Sequence, residues 1–437
     1  MNASGTKHTQ LTLTDATPTT ANVFNQALGV ALTLLIAFGL AMSAAQPATA
    51  RAQVHSSAAF AQFVAELWPE AQSAGVSRKT FNEAFAGLKP DYSLPDLLFP
   101  GQKTPRKVGQ AEFTRAPSDY LSTTYLRRLG KTGKGMAAKY ATQLKAIEDK
   151  FGVDRFSILG IWGRETSFGR YTPKHDAIRV LATQAFTGRR AEMFRGELID
   201  ALRLLEKGVP RKKMRGSWAG AMGMTQFMPS EFFKHRHDFA GDGYADLFNS
   251  VPDALASAAR QLKNKGWEPG YTWGYEIVIP GSSDCAEEGP PGTRTIKEWA
   301  ALGYRRTGGR TFPEKVLDKP AYLMSPAGAY GPSFLALNNF KVFREYNTSD
   351  LYATFVGNLA DRIAGGGDFR TPWQDIGPQR TAIIRGVQQG LKDRGYGISI
   401  VDGFIGSNTR RQVGLFQRTN GLKVDCWPTK RVLSALR

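Results

Sequence analysis

A single carboxylate lies inside an apolar stretch, residues 158–169, that has the spacing of a buried helix. On a helix, Ile158, Trp162 and Glu165 fall at positions i, i+4 and i+7, so the three side chains share one face. A carboxyl group that is half-buried among apolar side chains favours its neutral form, which raises its pKa. The stretch predicts a general acid. The alternative is a Glu at the edge of the buried stripe that reaches water.

The rest of the chain predicts a mainly α fold. It has 437 residues, of which 42% are hydrophobic and 11% aromatic, enough for a large core and an additional module. Helical spacing of apolar residues predicts further helices over residues 60–85, 137–150, 194–207 and 253–266. Residues 273–280 alternate in the manner of a strand, which predicts a small β element.

The N-terminus has the pattern of a secretory signal peptide. Residues 28–45 are almost wholly apolar, and overlapping Ala-x-Ala sites follow that could be cut after Ala50 or Ala52. We therefore predict that residues 1–52 are a signal peptide and that the rest of the chain is exported. The alternative is an uncleaved membrane anchor. No Cys follows the apolar run, so it is not a lipoprotein signal.

The charge of the chain indicates a polyanionic partner. The formal net charge is +19, and Lys7, Asp15 and Arg51, the charged residues of the signal segment, sum to +1, which leaves +18 for the remainder. Such a balance suits nucleic acid, an acidic lipid surface or an acidic cell-wall polymer. Export and the lack of any nucleic-acid-binding signature argue against nucleic acid.

The cysteines and histidines predict neither a disulfide nor a metal centre. Cys285 and Cys426 could pair in an oxidising compartment, but they lie in segments that we assign to different domains. We therefore expect free, half-buried thiols. The five His residues lack metal-ligand spacing, so no zinc site is predicted.

A second run, residues 217–230, combines small residues with apolar and polar ones. Its Ala and Gly residues let a backbone or a flat ligand approach closely. Ser217 and Gln226 offer hydrogen bonds that could hold a polar substrate. The alternative is a tightly packed turn between helices.

Together the two runs resemble the lytic murein transglycosylase B family, glycoside hydrolase family 103. The family motif Gly-x-Glu-[Thr/Ser]-x-x-Gly matches residues 163–169, and Gly-Ala-Met-Gly-x-x-Gln-Phe-Met-Pro-Ser matches residues 220–230. The resemblance covers residues 58–365. It implies a lysozyme-like, goose-type α-rich catalytic domain that cleaves the β-1,4 bond between N-acetylmuramic acid and N-acetylglucosamine.

The resemblance also implies roles for individual residues. Glu165 would protonate the glycosidic oxygen and then, as a carboxylate, take the proton of the muramoyl C6 hydroxyl, which closes a 1,6-anhydro ring without water. Neither signature run contains a second acid, whereas ordinary glycosidases need one. By the same resemblance, the substrate-binding residues would be Ser217, Gln226, Asn339, Tyr346 and Tyr120.

Two other functions stay open at this point. A water-using muramidase with the same core would need a base carboxylate, and Asp176 is the nearest acid downstream of Glu165 that could serve. A non-catalytic cell-wall-binding scaffold could keep the fold alone. The presence of Glu165 and of the whole 220–230 run argues against a non-catalytic scaffold.

A later loop is similar to an EF-hand. Asp238, Asp242 and Asp246 stand at positions 1, 5 and 9. Position 3 is Ala240, which cannot ligate, and position 12 is Asn249 where an EF-hand has a bidentate Glu. We expect weak calcium binding at the three Asp residues or a metal-free turn, with no cofactor required.

Beyond a predicted linker, residues 366–377, the chain resembles a three-helix peptidoglycan-binding domain over residues 378–437. Eleven Lys and Arg against three Asp make this segment basic, which suits an anionic wall polymer. Cys426 stands where that family usually has a Gly, in a turn that needs positive φ. We expect a monomeric periplasmic protein that binds peptidoglycan glycan strands, and membrane contact only if the signal segment is retained.

Overall fold

Helices dominate the computed structural model, which describes residues 56–98, 111–378 and 380–437. The predicted signal segment, residues 1–52, lies outside the described residues. Among the residues that are described, no helix is both long enough and apolar enough to cross a membrane.

The first seven helices include the one that carries Glu165. They are α1 (Ser57–Ser73), α2 (Arg78–Phe85), α3 (Ala111–Thr114), α4 (Pro117–Tyr120), α5 (Thr123–Lys139), α6 (Ala141–Phe151) and α7 (Arg155–Thr166). The prediction of one helix over residues 60–85 is wrong. The chain turns at Gly75, whose φ is 83°, and Ser77 then caps α2 by accepting a hydrogen bond from the Thr80 N–H (3.2 Å).

Seven more helices complete the larger part of the fold. They are α8 (Ala177–Thr187), α9 (Ala191–Glu206), α10 (Pro229–His235), α11 (Val251–Asn264), α12 (Ile296–Ala301), α13 (Asn338–Tyr346) and α14 (Asp350–Ile363). The predicted helices over 194–207 and 253–266 correspond to α9 and α11. The prediction over 137–150 is only partly right, because the chain passes from α5 to α6 at Tyr140.

Close packing of α7 against α14 forms the centre of the main core. Both helices are buried over most of their length. A Cβ at Gly160 would lie 2.8 Å from the carbonyl oxygen of Val356, and one at Gly163 would lie 2.8 Å from a methyl carbon of Leu359. Because these distances are too short for a side chain, the two glycines permit the contact that brings α14 to α7. A second core packs α1 and α2 against α8 and α9.

The β structure is small and antiparallel. A two-stranded ribbon pairs β1 (His175–Asp176) with β2 (Arg215–Gly216). The larger sheet contains β3 (Gly274–Val278), β4 (Arg294–Thr295), β5 (Arg305–Arg306), β6 (Pro320–Met324) and β7 (Ser333–Ala336). Its strand order is β4-β6-β7-β3-β5. The strand predicted over 273–280 is β3, so the prediction of a mainly α fold with a small β element is confirmed.

The C-terminal module consists of three helices, α15 (Thr381–Asp393), α16 (Ser407–Thr419) and α17 (Lys430–Ala435). Its own core includes Val387, Leu391, Val413, Phe416 and Val432, all less than 5% exposed. This is the three-helix module that the resemblance implies.

A disulfide joins the module to the rest of the fold, so the prediction of free thiols is wrong. Cys285 and Cys426 are bonded and nearly fully buried. The two segments pack tightly at Gly414 of α16, where a Cβ would lie 2.5 Å from the Cys426 sulfur and 2.8 Å from Ala286. Cys426 keeps the positive φ (56°) that the turn requires, although it is not Gly.

A buried ion cluster also links the module to the larger domain. Arg410 of α16 donates two hydrogen bonds from Nε and Nη2 to Glu288 and a third, of 2.8 Å, to Asp350 at the start of α14. Arg410 is 1% exposed and Glu288 is fully buried. Burial raises the pKa of Glu288 to about 7, and the Arg410 guanidinium opposes this rise. Loss of one member would leave an opposite charge buried without its partner, which is costly.

The predicted linker packs on the larger sheet. The Phe369 ring lies 4.9 Å from that of Phe334 in β7, and the Glu276 carboxylate in β3 accepts hydrogen bonds from the Arg370 and Thr371 N–H groups (2.9 and 2.7 Å). The segment therefore follows the surface of the larger domain. It does not have the free backbone of a flexible tether.

Candidate active site

Glu165 lies on the last turn of α7. The helix begins at its cap Asp154, which accepts a hydrogen bond from the Ser157 N–H (2.8 Å). It ends in three successive residues with positive φ, Ser167, Phe168 and Gly169. Positive φ is uncommon outside Gly, so this turn is closely specified by its surroundings. The turn positions Glu165, a partly exposed residue, at the end of a helix that is otherwise largely buried.

The carboxyl group of Glu165 has the environment of a general acid. Burial raises its pKa, and the negative charge of Glu112 adds to the rise. The guanidinium of Arg164 and a 2.5 Å hydrogen bond donated by the Tyr352 hydroxyl oppose it. The group therefore keeps its proton to a higher pH than an ordinary Glu, and its charged form is also stabilised once that proton is given away.

Two stacked tyrosines lie over the carboxyl group. The rings of Tyr346 and Tyr352 are 6.4 Å apart with an interplanar angle of 10°. The Tyr346 hydroxyl donates to the carbonyl oxygen of Thr225 (2.5 Å). Burial, together with the charge of Glu165, raises the pKa of both phenols well above its usual value, so both act as neutral donors.

Tyr120 reaches the site through Arg164 and makes no hydrogen bond to Glu165. Its hydroxyl accepts two hydrogen bonds from the Arg164 guanidinium (3.0 and 2.7 Å), which also lies 5.2 Å from the Phe355 ring centroid. Burial raises the pKa of Tyr120, so it too stays neutral. This pair fixes the Arg164 cation beside the Glu165 carboxyl group.

The 217–230 run forms a pair of tight turns beside α7. A Cβ at Gly223, whose φ is 77°, would lie 2.9 Å from the carbonyl oxygen of Leu247, so this position requires Gly. The Thr166 hydroxyl donates to the Met224 carbonyl (2.7 Å) and joins the run to α7. This hydrogen bond places the backbone of the run at Met224 against the residue that follows Glu165.

Ser217 and Gln226 are partly exposed within these turns. The Ser217 hydroxyl accepts a weak hydrogen bond from the Ala219 N–H (3.3 Å). Gln226 has a φ of 54° and uses its amide N–H to reach the Gly223 carbonyl (2.9 Å). The side-chain carbonyl oxygen of Gln226 makes no hydrogen bond within the described chain, so it is available to a substrate.

The interpretation of Asn339 as a substrate-binding residue is contradicted by the structure. Its side chain is 1% exposed and lies at the opposite end of α13 from Tyr346. The carbonyl oxygen accepts from the Glu268 N–H (2.8 Å), and the amide donates to the carbonyls of Glu268 and Tyr271 (2.9 and 2.8 Å). Every polar atom is used in holding the loop before β3, so none is left for a sugar.

Both carboxylate oxygens of Asp176, the residue that could serve a muramidase as the base, already accept hydrogen bonds from the protein. One carboxylate oxygen caps α8 by accepting from the Arg179 N–H (3.0 Å), and the other pairs with Arg211 (3.0 Å). The acid whose charge acts on Glu165 is instead Glu112 of α3, a 7% exposed residue that accepts a hydrogen bond from the Asn347 amide (3.2 Å).

The site thus contains residues that sequence reasoning missed. Arg164 precedes Glu165 directly, but nothing local shows that its guanidinium turns back toward Tyr120. Tyr352 carried a weak signal, because Ser349 caps α14 and places Tyr352 in the first turn of a buried helix. No pattern in the sequence indicated Glu112 as a site residue, because only the tertiary fold brings α3 to the site.

The EF-hand-like loop is closed on itself. The Asp238 carboxylate accepts from the N–H groups of Gly241 and Gly243 (2.6 and 2.7 Å), and Asp246 accepts from those of Phe248 and Asn249 (2.8 and 3.0 Å). In the part of the chain that the structure describes, no group of three His, Cys, Asp or Glu side chains could hold a metal ion. The donor set therefore does not fit calcium well.

Two families match this chain. The family described as transglycosylase SLT domain matches residues 59–361, and the family described as putative peptidoglycan binding domain matches residues 380–436. The chain is also similar to membrane-bound lytic murein transglycosylase B of Escherichia coli (strain K12), with 33% identity over 232 residues. That match covers 52% of this chain and 61% of the relative, so the chain spans about three fifths of the length of the curated relative.

Solved structures show the same likeness. SltB3 from Pseudomonas aeruginosa, in complex with NAG-anhNAM-pentapeptide, has 34% identity and a TM-score of 0.75, covering 86% of this chain and 99% of its own. Soluble lytic transglycosylase SltB1 from the same organism has 29% identity and a TM-score of 0.55, covering 70% of this chain and 98% of its own.

Proposed function

Because this chain belongs to the transglycosylase SLT domain family, we propose that it is a peptidoglycan lytic transglycosylase. It cleaves the β-1,4 bond between N-acetylmuramic acid and N-acetylglucosamine and leaves 1,6-anhydromuramoyl ends. The observation that carries this assignment is the Glu165 carboxyl group, whose pKa burial raises and whose charged form Tyr352 and Arg164 stabilise. The similarity to SltB3, solved with an anhydromuramoyl peptide, supports it.

The geometry supports one carboxyl group that acts twice. Protonated Glu165 donates its proton to the glycosidic oxygen as the C1–O4 bond breaks. The resulting carboxylate keeps the Tyr352 hydrogen bond and the nearby Arg164 charge, which favour the ionised form. It then accepts the proton of the muramoyl C6 hydroxyl as O6 bonds to C1. The C6 hydroxyl proton thus restores protonated Glu165, the first proton leaves on O4, and no water is consumed.

A water-using muramidase fits less well. Asp176 caps α8 and pairs with Arg211, so it is not free to activate water. Glu112 is buried and bound to Asn347, and its charge serves to raise the pKa of Glu165. A non-catalytic scaffold would not need the Tyr352 hydroxyl that donates to this carboxyl group.

We further propose where the protein acts, its oligomeric state, its binding partner and its independence of calcium. The mature protein acts in the periplasm as a monomer, binds peptidoglycan glycan strands, and contacts a membrane only if its N-terminal segment is retained. Calcium at Asp238, Asp242 and Asp246 is weak and is not required for activity.

Digestion of purified peptidoglycan, followed by mass analysis of the products, tests the function. The wild-type protein should release anhydro-muropeptides, whereas reducing ends would indicate a muramidase and no products a scaffold. Glu165→Gln should lower release about a thousandfold, the scale of losing a general acid, while its melting temperature stays unchanged. Glu314→Gln, which changes an exposed Glu, is the matched control. Wild-type rates in Glu165→Gln would overturn the assignment.

A further inference from the structure

A cavity of about 270 Å³ opens beside Thr166, the residue that follows Glu165. Three cationic side chains line it, those of Lys212, Lys213 and Arg215, and Asn249 contributes an amide. No Asp or Glu is among the lining residues. The cavity therefore has a positive potential and suits an anionic ligand.

The three cations are available to a ligand. Lys212, Lys213 and Arg215 are exposed. None of them forms an ion pair with any residue in the described ranges. Lys213 donates one hydrogen bond, to the side-chain carbonyl oxygen of Asn249. Unpaired cations around one cavity repel each other, and a carboxylate that enters it relieves this repulsion.

The backbone that carries these cations is firmly held. Arg211, directly before Lys212, donates to the Asp176 carboxylate (3.0 Å) and to the Ala84 carbonyl (2.7 Å). Arg215 lies on β2, which pairs with β1. Because the backbone is fixed in advance, binding a ligand costs less ordering of the protein.

The cavity adjoins the turn that carries Glu165. Thr166, which lines it, donates to the carbonyl of Met224, another lining residue (2.7 Å). The next residue, Thr225, accepts the hydrogen bond of Tyr346, which stacks on Tyr352 over Glu165. A ligand bound over Glu165 can extend an attached chain into the cavity.

We propose that this cavity binds the carboxylates of the peptide stem on the muramic acid residue. The inference rests on the proposed function, since only a peptidoglycan substrate brings such a stem beside Glu165. The stem is an attached peptide with free carboxylates, and Lys and Arg side chains bind carboxylates by charge-assisted hydrogen bonds. The site thus distinguishes peptide-bearing glycan from glycan whose stems have been removed.

Binding to two disaccharides tests this inference without any need for catalysis. In the Glu165→Gln background, the dissociation constants of NAG-anhNAM-pentapeptide and of NAG-anhNAM are measured by calorimetry with and without Lys212→Gln/Arg215→Gln. The pentapeptide form should bind roughly tenfold more weakly in the double variant, the scale of losing one or two charged contacts, so the ratio of the two constants changes. Lys131→Gln/Lys263→Gln removes two exposed cations elsewhere and should leave this ratio unchanged.

The outcomes separate the two proposals. A ratio that Lys212→Gln/Arg215→Gln leaves unchanged, with no loss or an equal loss for the two disaccharides, would overturn the stem site and show at most a general attraction. A loss confined to NAG-anhNAM would also overturn it and would show contact with the free lactyl carboxylate of that ligand. Failure of the wild-type protein to form anhydro ends would contradict the proposed function while the binding ratio still reports on the cavity.

Discussion

Arg410 in the C-terminal module donates a 2.8 Å hydrogen bond to Asp350, the first residue of α14. Two residues further along α14, Tyr352 donates to the catalytic carboxyl group of Glu165. A side chain of the module therefore supports the helix that holds the general acid. The aromatic contact of Phe404 with Phe113, 4.6 Å between ring centroids, connects the module to the segment that carries Glu112 as well.

Replacement of Arg410 should destabilise the whole protein. Arg410→Met leaves Glu288 buried without its cation and Asp350 with Arg344 alone (3.1 Å), and removal of one partner costs about 3–5 kcal/mol in comparable buried pairs. Urea unfolding of the full chain measures the change. Arg418→Met is the matched control, because Arg418 lies on the same helix and pairs with Asp284 (2.7 Å) at a partly exposed site, where the loss should be about 1 kcal/mol or less. Equal losses in the two variants would contradict the structural role of Arg410.

Sequence reasoning reached the parts of this site that are encoded locally. The spacing of the α7 stretch places Glu165 on a buried helix, and the small residues of the 217–230 run predict its close packing. The disulfide could not be reached, because Cys285 and Cys426 are 141 residues apart and the docking of the module brings them together.

The same limit explains the remaining errors at the site. Asn339 lies in the first turn of α13 and Asn347 directly follows its last residue, and sequence alone does not show which of them faces the loop before β3 and which faces Glu112. Tyr352 and Glu112 reach Glu165 only through tertiary packing.

The pH dependence of cleavage should respond in opposite directions to two substitutions near Glu165. Tyr352→Phe removes a hydrogen bond to the carboxylate, so the pKa of Glu165 rises further. Glu112→Gln removes a negative charge, so that pKa falls. Because cleavage requires protonated Glu165, the alkaline limb of kcat/KM should move to higher pH in the first variant and to lower pH in the second, each by about one unit or less.

Rate profiles from pH 4 to 9 measure these two shifts. Tyr125→Phe and Asp119→Asn make the same chemical changes at side chains that, within the described chain, form no hydrogen bond with Glu165 or Arg164, and should leave the limb in place. If the alkaline limb moved in the same direction in Tyr352→Phe and in Glu112→Gln, the electrostatic interpretation would be contradicted. Complete loss of cleavage in Glu112→Gln, with reducing ends from the wild-type protein, would instead make Glu112 a hydrolytic base.

Calcium should have little effect on the protein. The carboxylates of Asp238 and Asp246 already accept backbone N–H groups, so a metal ion would have to displace those hydrogen bonds. With a dissociation constant in the millimolar range, 1 mM calcium stabilises by about 0.4 kcal/mol at most. The melting temperature should therefore rise by less than about 1 °C over that in EGTA. Magnesium is the control, and a calcium-specific rise of several degrees would contradict this expectation.

Asp361 should make the stability of the protein fall as the pH rises. This carboxyl group on α14 accepts a hydrogen bond from the Trp273 indole (3.0 Å). Burial raises its pKa from 3.8 to about 7, the charge of Asp154 adds to the rise, and the Trp273 hydrogen bond and the charge of Arg362 oppose it. Between about pH 4 and 7 the folded protein keeps a proton that the unfolded chain has released, so the free energy of unfolding decreases through this window and is level above it.

Asp361→Asn removes this titration but keeps an oxygen that can accept the Trp273 N–H. The variant should therefore gain stability relative to the wild-type protein as the pH rises from 5 to 8, and its free energy of unfolding should depend less on pH in that interval. Urea unfolding at pH 5, 6, 7 and 8 measures the difference. Asp149→Asn, at an exposed surface ion pair with Lys145, is the control and should follow the wild-type curve. A constant difference between Asp361→Asn and the wild-type protein at all four pH values would show that Asp361 is ionised throughout, with its pKa near the unfolded value.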